Sequence, residues 1–201
     1  MAVGVLEGVA NSLWGFKPNL MRPIIEQKGA IAGLTWFVSN MPRYESTRKA
    51  FGPVRMHSIC TLISVLNGCR YCTYGHAYAL QLSYLRERDR LFPLDEHEIV
   101  SMSRLDEDQA IERYEAALQT AGLVDETAPL RRMLAIRAGE SPAKTDADGA
   151  RIKHLLSMFS VLNACGIASQ ASPDQAHDPL NKDRALVQRY LDLRAASESK
   201  H

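Results

Sequence analysis

Strand signals are nearly absent from this sequence. Alternating apolar–polar runs rich in Val, Ile and Thr do not occur, and their absence argues against sheet-based folds. Long hydrophobic runs are lacking as well. The longest strongly apolar stretch, AIAGLTWFV at 30–38, is roughly half of what a bilayer crossing needs. No single sign of charge dominates: the formal net charge is +1, so neither a nucleic-acid partner nor an acidic solvating arm is expected. The densest charge run, Arg86-Glu87-Arg88-Asp89-Arg90, alternates in sign and reads as a solvated helix end. The opening MAVGVLEGVANSLWG has no basic start leading into a continuous apolar core, so it does not read as a signal peptide. The expected location is cytoplasmic, with no membrane partner. Cysteine is scarce, with four in 201 residues. In a reducing compartment a close pair of them points to catalysis or metal binding rather than to a structural staple.

What is present is helical and ample for a core: 46% of the residues are hydrophobic and 23% charged, as in soluble globular chains. Asp95-x-x-Glu98 and Asp106-x-x-Gln109 read as helix-opening boxes, the second leading through AIERYEAALQTAGL to a stop at Gly122. Asp125 precedes a segment whose Leu130, Met133, Leu134 and Ile136 form an apolar stripe ahead of Gly139. Thr145-x-x-Asp148 precedes ARIKHLLSMFSVLNAC, and NKDRALVQRYLDLRAAS forms a last amphipathic helix. Residues 166–180, holding Pro173 and Pro179, make the longest irregular stretch. The expectation is a single all-α domain over residues 1–201.

VRMHSICTLISVLNGC (54–69) aligns without a gap on ARIKHLLSMFSVLNAC (150–165). Arg55 falls on Arg151, Ser64-Val65-Leu66-Asn67 on Ser160-Val161-Leu162-Asn163, and Cys69 on Cys165. Identity at polar positions favours duplication of one helical unit over chance similarity of two amphipathic helices. Two related units follow, at about 1–100 and about 101–201. Where Cys72 and His76 stand in the first copy, Ala168 and Ser172 stand in the second. The second unit therefore reads as a degenerate copy that serves as scaffold.

The chemistry concentrates in NGCRYCTYGHA, 67–77. Asn67-Gly68 breaks two helical patterns, so the cysteines open the second helix of an α-hairpin. At about 100° per residue Cys69, Cys72 and His76 share one narrow face, and a first-turn i,i+3 spacing suits a disulfide. Helix-start N–H groups and a nearby imidazole favour thiolate over thiol. His57 lies ten residues before Asn67 and His76 eight after Gly68. Rises of roughly 15 and 12 Å from one turn bring the two rings to nearly the same height. Cys60 and Cys165, each in an apolar helical pattern, read as structural. His97, His154 and His177 read as surface or satisfied histidines. Tyr74 and Tyr78, at i,i+4 spacing, read as pocket-lining or packing residues.

The spacing His57-x11-Cys69-x-x-Cys72-x3-His76 resembles the signature of the alkylhydroperoxidase D and carboxymuconolactone decarboxylase superfamily. In its peroxidase members the pattern is Glu-x11-Cys-x-x-Cys-x3-His on an all-α, often duplicated, unit. The resemblance implies a thiol-dependent hydroperoxide reductase or disulfide oxidoreductase, with Cys72 as the peroxidatic cysteine, Cys69 as the resolving one and His76 as the base. It also implies an external dithiol or lipoyl-type reductant, and a homo-oligomer is expected. The family's glutamate falls on His57, so His57 stands as the candidate outer member of the relay. No flavin or nicotinamide motif is visible, so no cofactor and no bound metal is expected. Two alternatives stay open. One is a lactone decarboxylase-like enzyme of the same superfamily, whose members generally lack the cysteine pair. The other is a non-catalytic helical module holding zinc through Cys and His, disfavoured because no second C-x-x-C exists. Thr73 after the second cysteine excludes c-type haem attachment, and the absent βαβ pattern disfavours a thioredoxin-like domain.

Overall fold

The computed structural model describes residues 1–140 and 146–199. Among them the fold is all-α, as the sequence patterning predicts, with ten α-helices and no strand. In order they are α1 (Ala2–Trp14), α2 (Met21–Lys28), α3 (Ala30–Phe51), α4 (Pro53–Leu66), α5 (Arg70–Arg88), α6 (Glu96–Ser101), α7 (Glu107–Thr120), α8 (Thr127–Arg137), α9 (Ala147–Ala168) and α10 (Arg184–Glu198). None of these helices is long and apolar enough to cross a membrane.

The antiparallel α4–α5 hairpin forms the centre, with α3, α7, α8, α9 and α10 packed around it. Its turn is set by local chemistry. Gly68 adopts φ 74°, which a side chain rarely tolerates. That conformation lets the Cys69 amide bond back to the Ser64 carbonyl at 3.0 Å, closing the end of α4. Both helices are buried nearly all round, with His57, Ile59, Cys60, Leu62, Ile63, Ala77, Leu80, Tyr84 and Leu85 wholly buried. A smaller apolar cluster joins the far end of α5 to α10 through Tyr78, Leu82, Leu85, Leu186 and Tyr190.

Helix starts follow the expected caps closely. Asp95 and Glu98 exchange both bonds of a capping box at α6, and Asp106 accepts the Gln109 amide at α7. Helix α7 ends just before Gly122, which takes φ 72°. Two expected starts differ. Asp125 lies inside a 3₁₀ turn, Val124–Glu126, from which α8 runs on directly. The box proposed at Thr145 falls on a residue outside those described, and Asp146 caps α9 by accepting from the Gly149 amide.

The two aligned segments do not fold alike. Helix α4 stops at Leu66, whereas α9 continues through Asn163, Ala164 and Cys165 to Ala168. The residue aligned with the breaking Gly68 is Ala164, a strong helix former. The irregular stretch therefore begins at Ser169 rather than at 166, with Gln170 at φ 50° turning the chain. The connection from 169 to 183, which includes a 3₁₀ turn at Pro179–Lys182, folds back over the start of α5.

Candidate active site

Cys69 is the N-cap of α5, with extended backbone, and its Sγ accepts the Cys72 amide at 3.4 Å. All four cysteines are free thiols. A hydrogen bond from the Cys72 thiol pulls the Cys69 thiol below its ordinary value; burial opposes this, and the Cys72 and Tyr71 amides add to it. Burial pushes the Cys72 thiol well up, and its bond to Cys69 adds to the shift. The helix-start effect thus falls on Cys69 rather than on Cys72.

Cys72 and His76 line one cavity together with Trp14, Leu20, Met21, Phe37, Met41, Tyr44, Tyr71, Met158, Phe159 and His177. Cys69 is not among the lining residues, because its extended cap backbone takes it off the helical progression that the shared-face expectation assumed. Its sulfur instead rests against α9, where a Cβ on Gly166 would stand 2.7 Å from it. The space open to the centre of a water-sized sphere is about 30 Å³, enough for about two waters.

The expected meeting of the histidines is present: His57 Nδ1 and His76 Nδ1 are 3.2 Å apart. Behind them stands a carboxylate, Asp178, whose Oδ2 accepts from His57 Nε2 at 3.0 Å. Burial raises the Asp178 carboxyl, but its bond to His57, the His57 charge, the Leu180 amide and Arg48 together bring it below the usual range. Arg48 reaches the same oxygen at 3.5 Å and holds Glu45 at 3.0 Å on its other side. Glu45 and Asp178 thus share Arg48 between them. With Asp178 ionised, His57 carries its hydrogen on Nε2. When both rings are neutral, His57 Nδ1 then accepts, His76 Nδ1 donates, and His76 Nε2 keeps its lone pair. Burial, followed by the neighbouring His177 and His57, holds His76 well below the ordinary histidine value.

One consequence is measurable. On unfolding, His76 takes up a proton as pH falls through about 6.5, while the buried ring resists until lower pH. Folding stability should therefore fall below about pH 6.5, by at most ~1.4 kcal/mol per pH unit for this proton. Urea midpoints at pH 7.5, 6.5 and 5.5 measure the slope, and His76→Gln should flatten it.

Sequence reasoning missed a second cluster. His177, read as a surface or satisfied histidine, is buried against the cavity. Its ring stacks on Trp14 and Phe16, with centroids at 5.7 and 5.9 Å, and stands edge-on to His76 at 5.2 Å. Its Nε2 lies 3.3 Å from Asp174, which also accepts the Tyr71 hydroxyl at 2.8 Å and the Asn19 amide at 2.9 Å. Asp174, His177 and Asp178 all come from the 169–183 connection, so the second half contributes more than scaffold to this site. The other histidines match the earlier reading: His97 is exposed, and His154 bonds Asn40 at 3.0 Å. Tyr78 packs on Tyr190, and neither it nor Tyr74 lines the cavity. Cys60 is fully buried in α4, with its thiol pushed up by burial. Cys165 is buried in α9, with its thiol also raised.

The connection is seated by Gly75, whose carbonyl accepts the His177 amide at 3.0 Å. A Cβ on Gly75 would stand 2.4 Å from the His177 ring. Gly75→Ala should therefore cost ~1–3 kcal/mol of stability as an overpacked core position, and it should loosen Asp178 along with His177. Chemical denaturation measures the first effect, and trypsin cleavage after Lys182 measures the second.

Two donors on cavity-lining residues lack a partner among the described residues. Trp14 Nε1 and the Tyr44 hydroxyl are buried without a hydrogen bond among the described residues. Unsatisfied groups of this kind cost ~1–3 kcal/mol each. No group of three or more His, Cys, Asp or Glu side chains among the described residues is placed to hold a metal ion. No protein-family model, curated protein or solved structure matches the chain.

Proposed function

We propose that the chain is a thiol-dependent hydroperoxide reductase of the alkylhydroperoxidase D-like type, with Cys72 as the attacking sulfur. The observation that carries this reading is the placement of Cys72 in one cavity with His76, whose other side passes through His57 to Asp178. A thiol kept protonated by burial gains nucleophilicity only when a neighbouring base takes its proton. The lone pair of His76 is suited to that role. His57 supports it from behind, and Asp178 stabilises the positive charge that develops on the rings.

The reaction balances as follows. The Cys72 thiolate attacks the distal oxygen of ROOH; an S–O bond forms, the O–O bond breaks, and RO⁻ leaves to take up a proton. Sulfur loses two electrons and the peroxide gains them, giving a sulfenic acid. Cys69, whose sulfur accepts the Cys72 amide at the helix cap, then attacks that sulfur. Water leaves and an intramolecular disulfide remains. An external dithiol, of lipoyl type by the sequence resemblance, returns the pair to two thiols by exchange.

The test is turnover by the purified chain with hydrogen peroxide or an alkyl hydroperoxide, using dihydrolipoamide as reductant. One dithiol should be oxidised for each peroxide consumed. Absence of consumption by fully reduced protein would refute the reading, and zinc found in the purified protein would favour the metal-holding alternative.

A further inference from the structure

Among the described residues, the buried side-chain nitrogen and oxygen atoms without a partner come from nine residues. Only two of those residues, Trp14 and Tyr44, line the cavity that holds Cys72 and His76. They reach it from α1 and α3, elements remote from each other in sequence. Trp14 is 8% exposed and Tyr44 2%, so water does not satisfy either group from outside. Phenylalanine at position 44 would fill nearly the same space without stranding a donor. Native interiors pair such groups, and the exceptions call for an explanation.

Both atoms are donors by chemistry. Indole N–H only donates. Burial, reinforced by the nearby Cys60, Asp178 and Glu45, raises the Tyr44 hydroxyl well above its ordinary value, so it keeps its hydrogen. The rest of the wall is mostly apolar, with Leu20, Met21, Phe37, Met41, Met158 and Phe159. Two fixed donors in a mostly apolar cavity suit an oxygen that gains negative charge during reaction, because little in the surroundings must reorganise to meet it.

We propose that the Trp14 indole N–H and the Tyr44 hydroxyl hold the leaving oxygen of the hydroperoxide while its O–O bond breaks. This rests on the reading of Cys72 as the peroxide-reducing thiol. In the step, the Cys72 sulfur bonds to the distal oxygen and the proximal oxygen departs with the O–O electron pair. The two donors stabilise that oxygen until it takes the proton that Cys72 passed to His76. The substrate class follows from this. The donors matter most where the leaving group is a strong base, hydroxide or alkoxide, and little where it is a carboxylate.

The experiment measures second-order rates of Cys72 in the reduced chain and in Tyr44→Phe and Trp14→Phe, each confirmed folded by thermal melting. Three reagents are compared: hydrogen peroxide, peracetic acid and iodoacetamide. Each variant should lose about 100-fold with hydrogen peroxide, the scale of one oxyanion donor. With peracetic acid the loss should be under about tenfold, since acetate leaves with less charge to stabilise. Alkylation by iodoacetamide, which has no leaving oxygen, should stay within about twofold if the thiolate is unaltered. Unchanged peroxide rates in folded Tyr44→Phe would overturn the proposal and leave the peroxidase reading standing. An equal loss with all three reagents would also overturn it, by showing a packing role. If the wild-type chain is alkylated but reacts with neither peroxide, both readings fall together. Should Trp14→Phe not fold, the near-isosteric Tyr44→Phe decides alone.

Discussion

Cys72→Ser is expected to abolish hydroperoxide consumption, and Cys69→Ser to permit a single reaction per chain and then stop. The asymmetry follows from where the sulfurs sit. Cys72 lines the cavity with His76, while Cys69 caps α5 and rests against Gly166. In Cys69→Ser the sulfenic acid at Cys72 has no neighbouring thiol in the helix cap to resolve it, so it should accumulate and be trapped by dimedone at one per chain. The lower thiol value belongs to Cys69, and on electrostatics alone the roles would reverse. The proposed assignment gives access and the histidine relay more weight, since a buried thiolate outside the cavity meets no substrate. Single-turnover stopped-flow with both variants decides the matter. Sulfenic acid at Cys69 in a Cys72→Ser chain would reverse the assignment.

The second large effect is expected at Asp178, which is 1% exposed. Its carboxylate bonds His57 and the Leu180 amide and reaches Arg48. Asp178→Ala strands these groups and should cost ~3–5 kcal/mol, the scale for breaking a buried charge pair. Asp178→Asn keeps the shape and should cost less, yet it removes the negative charge that His57 holds behind His76. In a Cys69→Ser background the pH profile of Cys72 alkylation should then move to higher pH, with slower reaction at neutrality. His57→Leu, which cuts the chain one link closer, should move it in the same direction. The acid side of stability changes too. A carboxyl held below its ordinary value stabilises the fold above about pH 4, and that contribution is lost as pH falls through the depressed value. Asp178→Asn should remove this part of the acid sensitivity. An alkylation profile identical to that of the parent chain would reduce Asp178 to an anchor for its connection.

The parts of this site legible in the sequence are those fixed by helix geometry. One Asn-Gly break and a rise per residue were enough to bring His57 and His76 to the same height, and the capping aspartates marked where α6 and α7 begin. The shared face of Cys69 with Cys72 was not legible, because Cys69 is a cap with extended backbone rather than a residue of the helix. Asp178 is 121 positions from His57, in a stretch with no periodicity that could announce which side chain points inward. His177 likewise depends on Gly75 offering a flat place for its ring, a match between two distant residues that no local pattern encodes. The aligned segments 54–69 and 150–165 share letters but not a turn, since alanine at 164 lets α9 run where glycine at 68 ends α4. Where the resembled signature carries glutamate this chain has His57, and the fold brings the Asp178 carboxylate to that histidine from elsewhere.

The most direct measurement is peptide mapping by mass spectrometry after one equivalent of hydrogen peroxide is added to the fully reduced chain, with free thiols blocked in acid. The expected result is one disulfide joining Cys69 to Cys72, with Cys60 and Cys165 alkylated as free thiols and the pair restored by dihydrolipoamide. A chain that keeps four free thiols, or that oxidises at Cys60 or Cys165 while Cys72 stays reduced, would contradict the assignment of this cavity to peroxide reduction.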